Sequence, residues 1–162
     1  MHALRQIILL ALAGLAGCAP AGPPFASVAG TLPPVPARTA RIFVYRWLEP
    51  YETLSPTTLF LNGGPVGVTQ PGAVLYRDVP PGVYTIAVQS EGIFPNQFKT
   101  ATLKGGDVIY ARIGSLREWV PCGGGDAASG GGTSGCADTF VVQIMDPAVA
   151  SYEMQDLHFI PG

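Results

Sequence analysis

Cys122 and Cys136 carry the most reactive side chains in the second half of the chain. They bracket Gly-Gly-Gly-Asp-Ala-Ala-Ser-Gly-Gly-Gly-Thr-Ser-Gly, a segment with almost no capacity to order itself. In an exported protein, an even pair of cysteines is most simply a disulfide. Closing a loop of about 15 residues removes unfolded-state entropy worth roughly 3 kcal/mol in the chain-entropy model. A metal site, a redox pair and two free thiols are the alternatives. Against metal, there is no C-x-x-C or H-x-x-x-H spacing. A redox pair usually lies closer in sequence and near a helix start. The glycine run lacks the Gly-Lys-Ser/Thr ending of a phosphate-cradling loop and reads as an exposed insertion over 122–136.

Little else invites catalysis. His158 is the only histidine besides His2 and lies beside Phe159 and Ile160, as a surface or packing residue would. No G-x-S-x-G elbow frames a serine. The carboxylates are scattered. Glu49 and Glu52 share one loop, and a glycosidase pair there would need a concave site around them. Solvated loop charge is the ordinary reading of these groups. Asp78 and Asp107 sit where turns meet strands and suit bonds to backbone amides. No Asp-rich calcium loop is present. The expectation is no catalytic residue, no metal and no cofactor other than covalent lipid.

That lipid is expected on Cys18. A short start carrying Arg5 precedes the apolar run Ile7–Ala16, which has small residues near its end. This is the layout of a secretory signal. The run is too short for a membrane span, which needs about 20 apolar residues. Leu15-Ala16-Gly17-Cys18 resembles the lipobox of bacterial lipoproteins. The resemblance implies cleavage before Cys18 and diacylglycerol and N-acyl chains (palmitate among them) on the new N-terminus. Several acyl chains, at about 0.8 kcal/mol per buried methylene, anchor stably where one would not. Ala19, rather than Asp, follows the cysteine. By resemblance to the enteric sorting rule this favours the outer membrane, with the domain facing the periplasm.

The 162 residues suit one domain. With 48% hydrophobic and 12% charged residues, they are apolar enough for a core. A net charge of −2 leaves no basic footprint for nucleic acid. Residues 1–17 are read as the signal and 18–39 as the lipidated cysteine and a tether. The tether contains Pro20, Pro23, Pro24, Pro33, Pro34 and Pro36 and has no periodicity. At about 3.1 Å per residue such a segment spans up to roughly 60 Å. Residues 40–162 are read as the folded domain.

Strands are expected at Arg41–Trp47, Thr57–Leu61, Pro65–Thr69, Val74–Val79, Val83–Gln89, Phe98–Leu103, Asp107–Ile113 and Thr139–Met145. Asn62-Gly63-Gly64 signals a hairpin, with Pro65 confining its return to an edge or a strand start. Phe98–Leu103 and Asp107–Ile113 read as a second pair around Lys104-Gly105-Gly106. Tyr84, Ile86 and Val88 share one face of their strand, and Phe140, Val142 and Ile144 face inward from theirs. Asp146-Pro147 is a helix start: an N-cap carboxylate, then proline at the first helical position. Ala148–Leu157 is expected helical, with Val149, Tyr152 and Met154 or Leu157 pressing on the sheet. The sum is an all-β, antiparallel sandwich of seven to eight strands with one short C-terminal helix.

Arg41-Ile-Phe-Val-Tyr-Arg46, Leu61-Asn62-Gly63 with Val66-Gly67, and Asp78-Val79-Pro80-Pro81-Gly82-Val83-Tyr84-Thr85-Ile86 resemble the bacterial envelope proteins grouped as domain of unknown function 2846. The resemblance covers roughly residues 40–115 and, more faintly, 139–160. The 122–136 segment departs from it as an insertion. The hairpin and the VPPGVYTI turn are also similar to PEGA-type and transthyretin-like (prealbumin-like) sandwich modules. The family implies no enzymatic activity and offers no catalytic residues to carry over.

Aromatic residues are the handle on binding. Trp47 with Tyr51, Phe94 with Phe98, and Trp119 fall at expected strand ends or loops. Rings there either stack on sugars or anchor a protein partner. Trp47 and Phe98 read more readily as core. The reading is a non-enzymatic envelope module that contacts another envelope protein. The rival is a glycan- or peptidoglycan-binding module using Trp47, Tyr51 and Trp119, and an enzyme is third.

Overall fold

The computed structural model describes residues 22–49, 53–116 and 138–161, with short strands at 120–121 and 135–136. It is an all-β sandwich. Strands β1 (Ala40–Arg46), β4 (Ala73–Val79), β7 (Val108–Ser115), β10 (Phe140–Met145) and β11 (His158–Phe159) form one sheet in the order β10-β7-β1-β4-β11. Strands β2 (Thr57–Leu61), β3 (Gly64–Thr69), β5 (Gly82–Val88) and β6 (Phe98–Leu103) form the other, in the order β3-β2-β5-β6. A separate ribbon pairs β8 (Val120–Pro121) with β9 (Gly135–Cys136), bringing the two ends of the glycine-rich insertion together at the backbone.

The β2–β3 hairpin turns at Asn62 and Gly63, both at positive φ (51° and 80°), as a type I′ turn requires. Pro65 is tolerated because β3 is an edge strand. Pro80-Pro81 then carries the chain from the large sheet to the small one, between β4 and β5. Ile86 and Val88 point into the core while Val83 stays exposed, the alternation expected of a half-buried strand.

Two parts of the topology differ from a simple antiparallel reading. Strands β6 and β7 do not pair with each other. The turn at Lys104–Gly106 crosses between sheets, so β6 joins β5 and β7 lies between β1 and β10. Consequently β1 runs parallel to β7, and β11 parallel to β4. Local turn chemistry marks a reversal but not which strand receives the chain afterwards. Asp107 does cap this turn, accepting the Lys104 amide at 2.7 Å.

Strand β1 is buried at every position, which explains its nearly continuous apolar composition. Ile42 and Val44 meet Leu59, Leu75, Ile86, Ile113, Phe140 and Val142 between the sheets. Phe43 and Tyr45 face the other way, into a second cluster with Phe25, Val74, Ala150, Met154 and Leu157. That outer layer comes from both ends of the described chain. Helix α1 (Phe25–Val28) leads into a 3-10 turn, Ala29–Thr31, and helix α2 is Pro147–Glu153.

Asp146 caps α2, its carboxylate accepting from the Ala148 and Val149 amides, with Pro147 in the first turn. A cap of this kind is worth about 1 kcal/mol. The helix is shorter than its sequence suggested; Met154 and Leu157 press on the sheet as expected, but Val149 and Tyr152 do not. Ala150 and Met154, with Leu157 just beyond, are buried, whereas Val149 is largely exposed and Tyr152 is 77% exposed. Ile144, expected inward, is also exposed at the edge strand.

Residues 22–39 are not an extended tether. Phe25 is buried, edge-on to Phe43 at 5.9 Å. Its amide donates to the Leu157 carbonyl at 2.6 Å, and the Phe159 amide donates to Pro23 at 2.8 Å. Phe25, with Val28 and Leu32 packed beside it, and these backbone hydrogen bonds hold the segment on the sheet.

Candidate functional site

The outer face of the five-stranded sheet is where side chains from several elements converge. Cross-strand register builds it in rows. Phe43 of β1 lies beside Tyr110 of β7 and Tyr76 of β4. The Phe43 and Tyr110 rings stack at 5.3 Å. One register step toward the start of β1, Arg41 is fixed by two hydrogen bonds to Asp78, Nε–Oδ1 at 2.6 Å and an Nη–Oδ2 contact at 2.7 Å. It also donates to the Pro33 carbonyl at 2.7 Å and lies over the Tyr76 ring. Bonding to Asp78 holds the Arg41 guanidinium above its ordinary pKa, against the opposing effect of burial. Asp78 therefore serves as an ion-pair partner rather than a cap for backbone amides.

Between α1, the Leu32–Val35 segment and α2 lies an open groove of about 560 Å³. Its floor is Phe43, Val108 and Tyr110, and Met154 and Gln155 form one wall. Only Arg41 and Tyr110 among its lining residues are ionisable. Ser151, on the same wall, donates its hydroxyl to the Pro147 carbonyl within its own helix. The groove offers apolar surface and aromatic faces, a setting for binding rather than for proton transfer.

Beside it, the Tyr45–Arg112–Gln143 row runs across β1, β7 and β10 and is closed from above by Glu153 of α2. Tyr45 donates to Glu153 at 2.5 Å. Arg112 meets the other Glu153 oxygen at 2.9 Å and donates through Nε to Gln143 at 3.1 Å. Trp47 completes the group, with the Arg112 guanidinium 4.8 Å from its ring centroid. Glu153 thus docks α2 onto the sheet and is not a solvated charge.

Burial, and then the bond to Glu153, push the Tyr45 phenol well above its usual pKa. Above about pH 10 the unfolded chain releases this proton and the folded one keeps it. The folded state then binds more protons, so stability falls as pH rises. Urea unfolding at pH 9 and pH 11 is expected to show a smaller alkaline loss in Tyr45→Phe than in the parent. Equal losses would show that Tyr45 titrates alike in both states.

The sequence-derived candidates are distributed differently. Trp47 is half-buried, with its ring beneath Arg112. Phe98, read as core, is 60% exposed, and Ile93 is 66% exposed; both line one shallow depression at the end of the smaller sheet. Phe94 is also exposed. Gln97 braces this loop, donating to the Ser90 hydroxyl and the Gly92 carbonyl at 2.7 Å each. His158 lies in β11, where Nδ1 donates to the Gly22 carbonyl at 2.7 Å. Cys18, Tyr51, Glu52, Trp119 and Cys122 lie outside the described residues, as does the Cys136 side chain.

Among the described residues, no group of three or more His, Cys, Asp or Glu could hold a metal ion. No described helix is long and apolar enough to cross a membrane. Sequence reasoning missed the Arg112–Glu153 and Arg41–Asp78 pairs. The available signal was the placement of Arg41, Arg46 and Arg112 inside otherwise apolar strands. No family model matches the chain, and no curated protein matches it.

Proposed function

We propose that this chain is a lipid-anchored protein of the bacterial envelope, and that its sandwich is a non-enzymatic module for docking another envelope protein. One observation carries the reading: the apolar run Ile7–Ala16 leads directly into Leu15-Ala16-Gly17-Cys18. A charged start, an apolar run of this length and a small-small-Cys ending together favour lipidation over an incidental cysteine. The outer membrane, facing the periplasm, is the proposed location, on the strength of Ala19.

The docking role is supported by the loop that presents Ile93, Phe94 and Phe98. Large apolar side chains held outward by a hydrogen-bonded glutamine are the kind of anchor that protein interfaces bury. A photo-crosslinking residue at position 98, in cells, is expected to capture one specific envelope protein, whereas the same residue at Val83 captures none. Failure to capture any protein at 98 would remove the docking role and favour glycan binding. Pull-down on peptidoglycan is the next measurement in that case.

The Cys122–Cys136 disulfide belongs to the same proposal, since export supplies the oxidising compartment. Peptide mapping of exported protein under non-reducing conditions is expected to recover the two cysteines in one linked species. Two freely alkylated thiols would refute the bond.

A further inference from the structure

Resting on the lipoprotein reading, we infer that the domain is not suspended from the bilayer but held against it, with the β11 edge of the large sheet apposed to the lipid headgroups. The segment expected to act as spacer is consumed in the fold. Residues Gly22–Pro24 extend the large sheet beyond β11. Pro24 bridges His158 in antiparallel sense, the Phe159 amide donates to Pro23, and His158 Nδ1 donates to Gly22. Phe25 then plugs the outer layer between Phe43 and Phe159.

The approach at Gly22 admits no side chain: a Cβ there would stand 2.1 Å from the Phe159 carbonyl oxygen. Attachment continues downstream, where Arg41 holds Pro33 and the Gly106 amide donates to Thr39.

Chain length does the rest. Only Ala19, Pro20 and Ala21 separate the lipid-bearing Cys18 from Gly22. Four residue steps, fully extended, cover at most about 14 Å. A free tether to Thr39 would have allowed roughly 60 Å. A domain whose edge is fixed within about 14 Å of its acyl chains has no room to stand clear of the membrane. The opposite edge, β10, lies four strand spacings away, about 19 Å. The Val142 amide of β10 donates to the Asn96 carbonyl, so the loop bearing Ile93, Phe94 and Phe98 lies toward that edge. The edge carrying the proposed docking loop is thus the one directed away from the bilayer.

Neutron reflectometry of the purified, lipidated full-length protein on a supported phosphatidylethanolamine–phosphatidylglycerol bilayer tests this directly. Mass spectrometry first establishes acylation of Cys18. The expected result is a protein layer continuous with the headgroups. Inserting 15 Gly/Ser residues between Ala21 and Gly22 leaves the domain untouched and is expected to open a hydrated gap of roughly 20 Å. Phe25→Asp, which releases the segment toward Pro33, is expected to open a similar gap. An acylated parent protein with the same gap as the insertion variant overturns the inference and leaves the lipoprotein reading standing. An unacylated Cys18 overturns that reading, and the inference with it.

Discussion

Arg46→Ala is expected to lower folding stability by about 3–5 kcal/mol, which corresponds to roughly 10–20 °C in Tm for a domain of this size. Among the described residues Arg46 is the largest fully buried side chain, at 0% exposure, where β1 leaves the large sheet. Its guanidinium lies 4.7 Å from the Phe140 ring centroid, donates to the Ser55 carbonyl at 2.8 Å and also donates to the Thr53 carbonyl. These carbonyls belong to the connection that takes the chain from β1 to β2, and so from one sheet to the other. Truncation removes the packing over Phe140 and two charge-assisted hydrogen bonds to a part-buried connection, each worth about 1.5–3 kcal/mol. Arg46→Lys keeps the charge but not the planar fork, and falls between the two. Denaturant unfolding followed by tryptophan fluorescence measures the series. A loss below about 1 kcal/mol for Arg46→Ala would show that water replaces the guanidinium and that the crossing is held elsewhere.

Cys18→Ala is expected to abolish acylation outright and move the protein from the detergent phase to the aqueous phase in a Triton X-114 partition. The physical basis is the loss of every acyl chain at once. A single chain gives only marginal, reversible attachment, and two or more give stable anchoring. Intact mass distinguishes the outcomes: the parent is expected to carry lipid on an N-terminal cysteine and the variant none. Retention of the variant in the detergent phase, with unchanged mass, would refute lipidation at Cys18.

Local sequence rules determined the strands, the Asn62-Gly63 hairpin and the Asp146-Pro147 cap. Each depends on side chains within a few positions of one another: a two-residue period, a residue that tolerates positive φ, a carboxylate within reach of two free amides. The lipobox-like stretch at Cys18 is equally local, and its reading needs no fold.

Tertiary structure decided what those elements meet. The Lys104–Gly106 turn announces a reversal, yet the strand after it joins β1 in parallel because the sheet, not the turn, supplies its partner. Phe25 reads as one apolar residue among prolines, but the outer layer of the large sheet gives it Phe43 and Phe159 to pack on. Asp78 reads as a cap for backbone amides and Glu153 as a solvated charge until sequence separations of 37 and 41 residues are closed by folding onto Arg41 and Arg112. Phe98 reads as core because aromatic residues favour burial, and it is exposed because it shares with Thr100 and Thr102 the face of β6 that the opposing sheet leaves uncovered. In each case the deciding partner lies far along the chain, so no local pattern encodes it. Burial is a property of the neighbours a residue acquires, and only the folded chain assigns those.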